Sequence, residues 1–253
     1  MSAKKTLAIR PIPAGSVPRT AMVMAAGLGK RMRPLTATRP KPLVEVAGKP
    51  LIDHVFDRLR SAGVARAVVN VHYLADALEA HVTHRVKDIE ILVSDERKQL
   101  METGGGLVQA RDMLGDDPFV CVNSDNLWVD GPIDAIRQLA AAWDDEKMDA
   151  LLLLVPLARA HCHGGQGDFH LDPFGKIVGR RKPGRLAPFV YTGVQILSPR
   201  VIRDWPEGPF STNLFWQRAM EAGRAFGVVH QGLWFDVGSP PAIAATEAVL
   251  ADG

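Results

Sequence analysis

The chain has 253 residues, 47% hydrophobic and 23% charged, with 30 Lys and Arg against 28 Asp and Glu for a formal net charge of +2. That length and balance suit one compact α/β domain whose core needs no metal or disulfide staple. So small a charge, with no basic run interleaved with aromatics, excludes a nucleic-acid footprint and leaves positive charge for local work on phosphates.

Residues 1–19 carry Lys4, Lys5 and Arg10, but Pro11 and Pro13 cut short any apolar run, so a flexible extension is expected and not a signal peptide. A strand is predicted over 21–26, apolar throughout as a strand covered on both faces should be. A loop rich in Gly and Pro follows over 27–49. Next comes an amphipathic helix over 50–61 with Leu51, Val55 and Leu59 on one face, ended by Gly63. Strands at 67–71, 89–93 and 119–122 then alternate with helices at 76–82, from about 104, and at 133–143. This rhythm predicts a parallel, doubly wound sheet.

After Ala150 the rhythm changes. A strand at 151–157 leads into a loop over 159–167 rich in His and Gly. Short strands follow at 169–171 and 176–178, with a longer one at 189–197. A helix at 212–222, a strand at 226–229, the run Trp234-Phe235-Asp236-Val237-Gly238 and a helix at 241–250 complete the chain. This half reads as an antiparallel excursion over the open edge of the sheet. No internal repeat is seen, and no hexapeptide-repeat tail. No stretch approaches the roughly 18 apolar residues of a membrane span. The two cysteines, Cys121 and Cys162, are too few for a secreted framework, so the expected compartment is the reducing cytoplasm. Cys121 lies in an apolar run and is expected to be a buried, inert thiol.

The strongest chemical signal is Ala25-Ala26-Gly27-Leu28-Gly29-Lys30-Arg31-Met32, followed by Lys41-Pro42-Leu43. Small residues at a strand end let a ligand approach the backbone closely. Gly27 and Gly29 can take φ values that other residues avoid, turning N–H groups toward phosphate oxygens. Arg31 and Lys41 would clamp a triphosphate tail, a bidentate guanidinium beside a mobile ammonium. The pattern is neither the P-loop nor the dinucleotide fingerprint. A lone Gly-x-Gly would be read as a tight βα turn; Arg31 and the Lys-Pro-Leu triplet at its distance favour phosphate. Asp125 follows an apolar strand, at the edge where ligands bind in such sheets. Asp236 follows another apolar stretch, and either aspartate alone would be read as a cap or turn residue.

With Val44 added, these segments resemble the signature of the sugar-1-phosphate nucleotidyltransferases. Met32-Arg33-Pro34-Leu35-Thr36, Glu102-Thr103-Gly104-Gly105-Gly106, Asn123-Ser124-Asp125, Gly167-Asp168-Phe169 and Trp234-Phe235-Asp236-Val237-Gly238 follow in the family's order, from Thr20 nearly to the end. They are most similar to the bacterial branch that joins UTP to N-acetylmuramate 1-phosphate in cell-wall recycling. The resemblance implies a Rossmann-like doubly wound mixed sheet with a small antiparallel sugar-binding excursion. It implies one domain over 20–253, with a nucleotide-binding half at 20–150 and a sugar-binding half at 151–253. It further implies Mg²⁺ held by Asp125 and Asp236, transfer without a covalent enzyme intermediate, and release of pyrophosphate.

Carried over residue by residue, Ala26, Gly27, Gly29, Lys30, Arg31 and Lys41 would bind the nucleotide with Gln99, Thr103, Gly104 and Gly105, the glycines admitting a flat base. Asn123, Gly167, Arg181 and Lys182 would bind the sugar phosphate, and Arg31, Lys41, Asp125 and Asp236 would carry catalysis. No nucleic acid, membrane or obligate protein partner is expected. Ser124 stands where the family commonly has Gly, and Ser239 where it has Thr. Arg181 replaces the acid of the Glu-Lys-Pro triplet found in hexose-1-phosphate thymidylyltransferases; a guanidinium would suit the lactyl carboxylate of N-acetylmuramate, and a solvated basic turn is the competing reading. The loop His161-Cys162-His163-Gly164-Gly165 is a further candidate for the sugar, and its His161, Cys162 and His163 are too close together to converge on zinc. Two alternatives stay open: the same chemistry on mannose 1-phosphate with GTP or glucose 1-phosphate with dTTP or UTP, and a nucleotide-sugar-sensing regulatory subunit without activity.

Overall fold

A computed structural model of the chain describes residues 15–252. Most of the extension expected over 1–19 lies outside the described residues; Val17 packs against the core just ahead of the first strand. In chain order the elements are β1 (Thr20–Met24), the two-residue strands β2 (Glu45–Val46) and β3 (Lys49–Pro50), α1 (Leu51–Ala62), β4 (Arg66–Val71), α2 (Ala75–Arg85), β5 (Glu90–Asp95), α3 (Glu102–Gln109) and α4 (Arg111–Leu114). Then come β6 (Phe119–Asn123), β7 (Asn126–Val129), α5 (Ala135–Ala142), β8 (Ala150–Pro156), β9 (Ala160–His161), β10 (Phe169–Leu171), β11 (Ile177–Arg180) and β12 (Phe189–Leu197). The last are α6 (Arg200–Arg203), α7 (Asn213–Glu221), β13 (Ala225–Val229), β14 (Leu233–Asp236) and α8 (Pro240–Ala251).

The period-two alternation of the strands sorts their side chains onto two cores. Ala21, Val23, Val120, Val122, Leu151 and Leu153 face Phe56 and Leu59 of α1, Leu78 of α2 and Ile136 of α5. Met22, Phe119, Cys121 and Leu152 face the other way, against Leu107 of α3 and Phe215 and Trp216 of α7. Strands apolar on both faces require helices on both sides, which is why their sequences read as unbroken hydrophobic runs. Burial pushes the Cys121 thiol up to about 12, so it stays protonated and inert. α1 buries Leu51, Ile52, Val55, Phe56, Leu59 and Ala62 as one stripe and stops at Gly63, whose φ of 96° lets its N–H close on Leu59 and Arg60. Asp134 starts α5 by accepting hydrogen bonds from the N–H groups of Ile136 and Arg137.

β5, β4, β1 and β6 lie side by side and parallel. β12 joins antiparallel to β6, β8 antiparallel to β12, and β13 parallel to β8. The antiparallel excursion of the second half is therefore the hairpin β10–β11, attached at Phe169 opposite Phe189. β8, β12 and β13 of that half continue the main sheet edge to edge in place of lying across it. Burial explains this: β12 hides nearly every residue on both faces, which only an interior strand does. A second, small sheet, β7-β14-β9, had no counterpart in the sequence expectations for β7. Four residues directly after the Asn123-Ser124-Asp125 turn are too few to show a period. Among the described residues no helix is long and apolar enough to cross a membrane.

Candidate active site

β1, β4 and β6 are parallel neighbours, so their carboxyl ends open on one side. The chain leaves β1 toward β4 and β5, then returns to β6 on the other flank of β1. That reversal makes a crevice beyond the carboxyl ends of β1 and β6, where open α/β sheets take their ligands. A cavity of about 420 Å³ fills it, walled by Ala25, Ala26 and Gly27 after β1, Asn70 of β4, Leu100, Glu102 and Thr103 at the start of α3, and Asn123, Ser124 and Asp125 after β6. A second cavity of about 250 Å³ is walled by Gly29, Lys30, Arg31, Met32 and Gly238. The two share Gly27, Lys41 and Asp125.

The phosphate-like turn is built locally. Gly29 sits at φ 60° and ψ 27°, and its carbonyl accepts from Met32 N at 2.9 Å and Thr36 Oγ1 at 2.8 Å. A Cβ there would meet Thr36 Cγ2 at 2.9 Å. Met32 plugs a small core with Val44, Val46, Leu51, Leu127 and Phe235, which turns Lys30 and Arg31 outward. Gly27 differs from the sequence expectation: its φ is not positive, and nothing lies within 4 Å of a Cβ placed on it. The fold leaves that space open, and both cavities border it. Gly27→Val should therefore keep the melting temperature within about 2 °C while lowering kcat/KM for the nucleotide by about 10²-fold, the scale of a ~1 Å misplacement. An unchanged kcat/KM would detach this turn from the ligand.

The charged groups meet where the two cavities join. Lys41 Nζ lies 2.7 Å from Asp125 Oδ2, with the lysine side chain 10% exposed and the aspartate 34%. β14 brings in Asp236, whose register partner on β7 is Asn126, the neighbour of Asp125. Arg31 flanks it: a Cβ on Gly238 would lie 2.9 Å from Asp236 Oδ1 and 3.1 Å from both terminal nitrogens of Arg31. His163 Nδ1 lies 3.2 Å from Asp236 Oδ2. That hydrogen bond holds the Asp236 carboxyl below its usual range against the burial that would raise it, and the charges of Arg31 and Lys41 act in the same direction. His163 arrives because β9 pairs with β14, setting the His161 ring 5.1 Å from Phe235.

The other residues singled out from sequence divide. Asn123 lines the larger cavity beside the bulge of β12, where Gly193 (φ 84°) leaves room for it and for Asn126. Thr103 also lines it, its hydroxyl accepting from Thr212 N at 3.0 Å. Gly104 and Gly105 are buried in α3, and their N–H groups donate to Phe210 O at 2.7 and 3.1 Å. Their missing side chains serve packing, since Cβ atoms would meet the Phe210 ring at 2.5 Å and Gly208 O at 2.0 Å. Gln99 is exposed and walls neither cavity. Nor do Gly167, Arg181 and Lys182: Gly167 packs onto Ala187, Arg181 Nη1 reaches Gln166 Oε1 at 3.2 Å, and Lys182 is exposed. His163, in the His161-Cys162-His163-Gly164-Gly165 loop expected for the sugar, meets Asp236, while Gly193 and Glu96 had no place among the sequence expectations. An isolated glycine inside a strand pattern is the bulge signal that marks Gly193; Glu96 carries no local signal.

The nucleotidyl transferase family model matches residues 20–165, from β1 to beyond His163. The N-acetylmuramate alpha-1-phosphate uridylyltransferase of Caulobacter vibrioides is 48% identical over 93% of this chain and 98% of its own length. That of Neisseria meningitidis serogroup B is 37% identical over 87% of this chain and 93% of its own. The inositol-1-phosphate CTP transferase structure from T. maritima superposes with a TM-score of 0.74 at 20% identity, over 90% of this chain and 92% of that one, a likeness of fold. With its first 14 described elements inside that model and near-full-length relatives of this similarity, the chain belongs to the nucleotidyl transferase family and is a nucleotidyltransferase.

Proposed function

We propose that this enzyme transfers UMP from UTP to N-acetylmuramate 1-phosphate in the cytoplasm, with magnesium, releasing pyrophosphate and forming UDP-N-acetylmuramate for peptidoglycan recycling. The observation that carries the reading is the wall of Gly27, Lys41 and Asp125 shared by two adjoining cavities, with Arg31 and Asp236 beside it. The larger space suits a nucleoside and the smaller a phosphate tail. The relatives at 48% and 37% identity, both named for uridylyl transfer to N-acetylmuramate 1-phosphate, favour that pair over GTP with mannose 1-phosphate or dTTP with glucose 1-phosphate.

In the reaction, an oxygen of the sugar phosphate attacks the α-phosphorus of UTP and the bond from that phosphorus to the bridging oxygen breaks. Pyrophosphate leaves with the electron pair. The attacking oxygen is already anionic, so no general base is required, and the protein's task is positioning and charge neutralisation. Arg31 and Lys41 bind the departing phosphates. Asn123 and the bulge beneath it orient the sugar phosphate. The Lys41–Asp125 pair, buried at the lysine and a third exposed at the aspartate, is a poor source of stability, because desolvation of the ammonium and solvent screening of the carboxylate offset the attraction. Its retention fits a site where the ammonium passes to phosphate and the carboxylate to a cation.

Asp125 and Asp236 offer only oxygen donors, and among the described residues no group of three or more His, Cys, Asp or Glu forms a metal cage. Magnesium, held by one or two carboxylates together with substrate phosphates, fits that donor set. When bound, it supplies positive charge to the reacting phosphates.

A panel of nucleoside triphosphates against sugar 1-phosphates, read by pyrophosphate release, tests the assignment. UTP with N-acetylmuramate 1-phosphate should give the highest kcat/KM, and no turnover with any pair would favour a sensing subunit. On the same panel, Arg181→Ala should reduce the preference for N-acetylmuramate 1-phosphate over N-acetylglucosamine 1-phosphate by about tenfold, the low end for a charged hydrogen bond because Arg181 is exposed. An unchanged ratio would leave Arg181 as a solvated turn.

A further inference from the structure

Glu96 is 2% exposed, and among the described residues no Lys or Arg pairs with it. Its two oxygens face main chain and amide: Oε1 accepts from Asn70 Nδ2 at 2.8 Å and Oε2 from Met101 N at 3.0 Å. Asn70 Oδ1 accepts from Ala25 N at 2.6 Å. A main-chain N–H can only donate, so Asn70 must turn its oxygen to Ala25 and its NH₂ to Glu96. The result is a chain of four residues joined by three hydrogen bonds, Ala25–Asn70–Glu96–Met101. It runs from the turn after β1 to the residue that precedes α3.

Ala25 lines the larger cavity with Ala26 and Gly27, and Met101 is flanked in the chain by Leu100 and Glu102, which line it as well. The third glycine of the triplet leaves room for the pair: a Cβ on Gly106 would lie 2.7 Å from Glu96 Oε1 and 3.1 Å from Asn70 Nδ2. A buried carboxylate with no Lys or Arg partner is costly, and an apolar side chain of similar volume would fill the space more cheaply. Burial pushes its carboxyl up, opposed by the hydrogen bonds from Met101 and Asn70 and by the charge of the neighbouring His72, whose Nδ1 lies 2.8 Å from Glu96 O. The polar pair is therefore retained against stability.

We propose that Asn70 and Glu96 are positioning residues that set the spacing of these two cavity-lining segments, so that triphosphate affinity depends on a carboxylate acting through its neighbours. The inference rests on the nucleotide occupying the larger cavity, as proposed above.

A polarity swap tests it. Glu96→Gln alone sets an amide NH₂ against a second donor, and Asn70→Asp alone sets two carboxylates face to face. The double substitution restores every link: the carboxylate at position 70 accepts from Ala25 N and from the amide at 96, whose oxygen accepts from Met101 N. Each single substitution should raise the Kd of a non-hydrolysable UTP analogue by about tenfold, and the double should return it to within about threefold of the parent. The KM for the sugar phosphate and kcat at saturating triphosphate should change little, a split that general loosening would not produce.

Gly106→Ala, which crowds Oε1, should raise the same Kd and covers the case in which a single variant fails to fold. Parent-like affinity in the single variants and in Gly106→Ala, or a double variant no better than the worse single, would overturn the proposal. Failure of the parent to bind any nucleoside triphosphate would instead strike the functional reading beneath it.

Discussion

Asp125→Ala and Asp236→Ala should each lower kcat by about 10³-fold, and the double variant should fall little further. The first figure is the scale of removing one fixed electrostatic partner of the reacting charge. The lack of further loss follows from shared work: two carboxylates serving one cation act as a unit, and the first removal forfeits most of what the second could. Both are held beside Lys41 and Arg31, and β14 aligns residue 236 opposite residue 126. Asp125→Ala also leaves the Lys41 ammonium, 10% exposed, without its partner, so a melting curve must accompany the kinetics. Asp125→Asn, which keeps an oxygen acceptor for that ammonium, limits the complication. If the protein carrying both Asp125→Ala and Asp236→Ala turned over within about tenfold of the parent, neither aspartate would belong in the reaction.

Gly193→Ala should cost about 3 kcal/mol, seen as a melting temperature lower by roughly 6–12 °C for a chain of this size. Two causes add. A φ of 84° is a conformation that side chains disfavour, and the new Cβ would fall 2.0 Å from Asn126 Nδ2 and 3.1 Å from Asn123 Nδ2. The strand cannot simply flatten, because the shift between Tyr191 and Gln195 is where β12 changes register against β8. Pushing Asn126 aside would also disturb its pairing with Asp236, so turnover should drop with stability. A melting temperature within about 2 °C of the parent would mean that β12 relaxes freely and that the bulge is not required.

Much of the fold was legible because it is written locally. β1, β4, β5 and β6 show as apolar runs, α1 as a 3.6-residue stripe closed by Gly63, and their alternation implies a parallel sheet by itself. The turn at Gly29 is local as well, since its carbonyl binds partners only three and seven residues away. The glycine triplet shows the limit of such reading. It reads as room for a flat base, whereas the atoms that crowd it are those of Phe210, Gly208 and Glu96, about a hundred residues off for the first two.

The sequence by itself determined that this chain is a doubly wound α/β protein with a phosphate-suited turn after its first strand, because periodicity, turn residues and motif order are short-range properties. Tertiary structure alone decided that Asp236 pairs opposite Asn126, the chain neighbour of Asp125, that His163 hydrogen-bonds to Asp236, and that a buried Asn70–Glu96 pair joins the turn after β1 to the start of α3. Strand register and buried hydrogen-bond partners join segments distant along the chain. No local pattern encodes such partners, and they come together only when the sheet closes and water leaves.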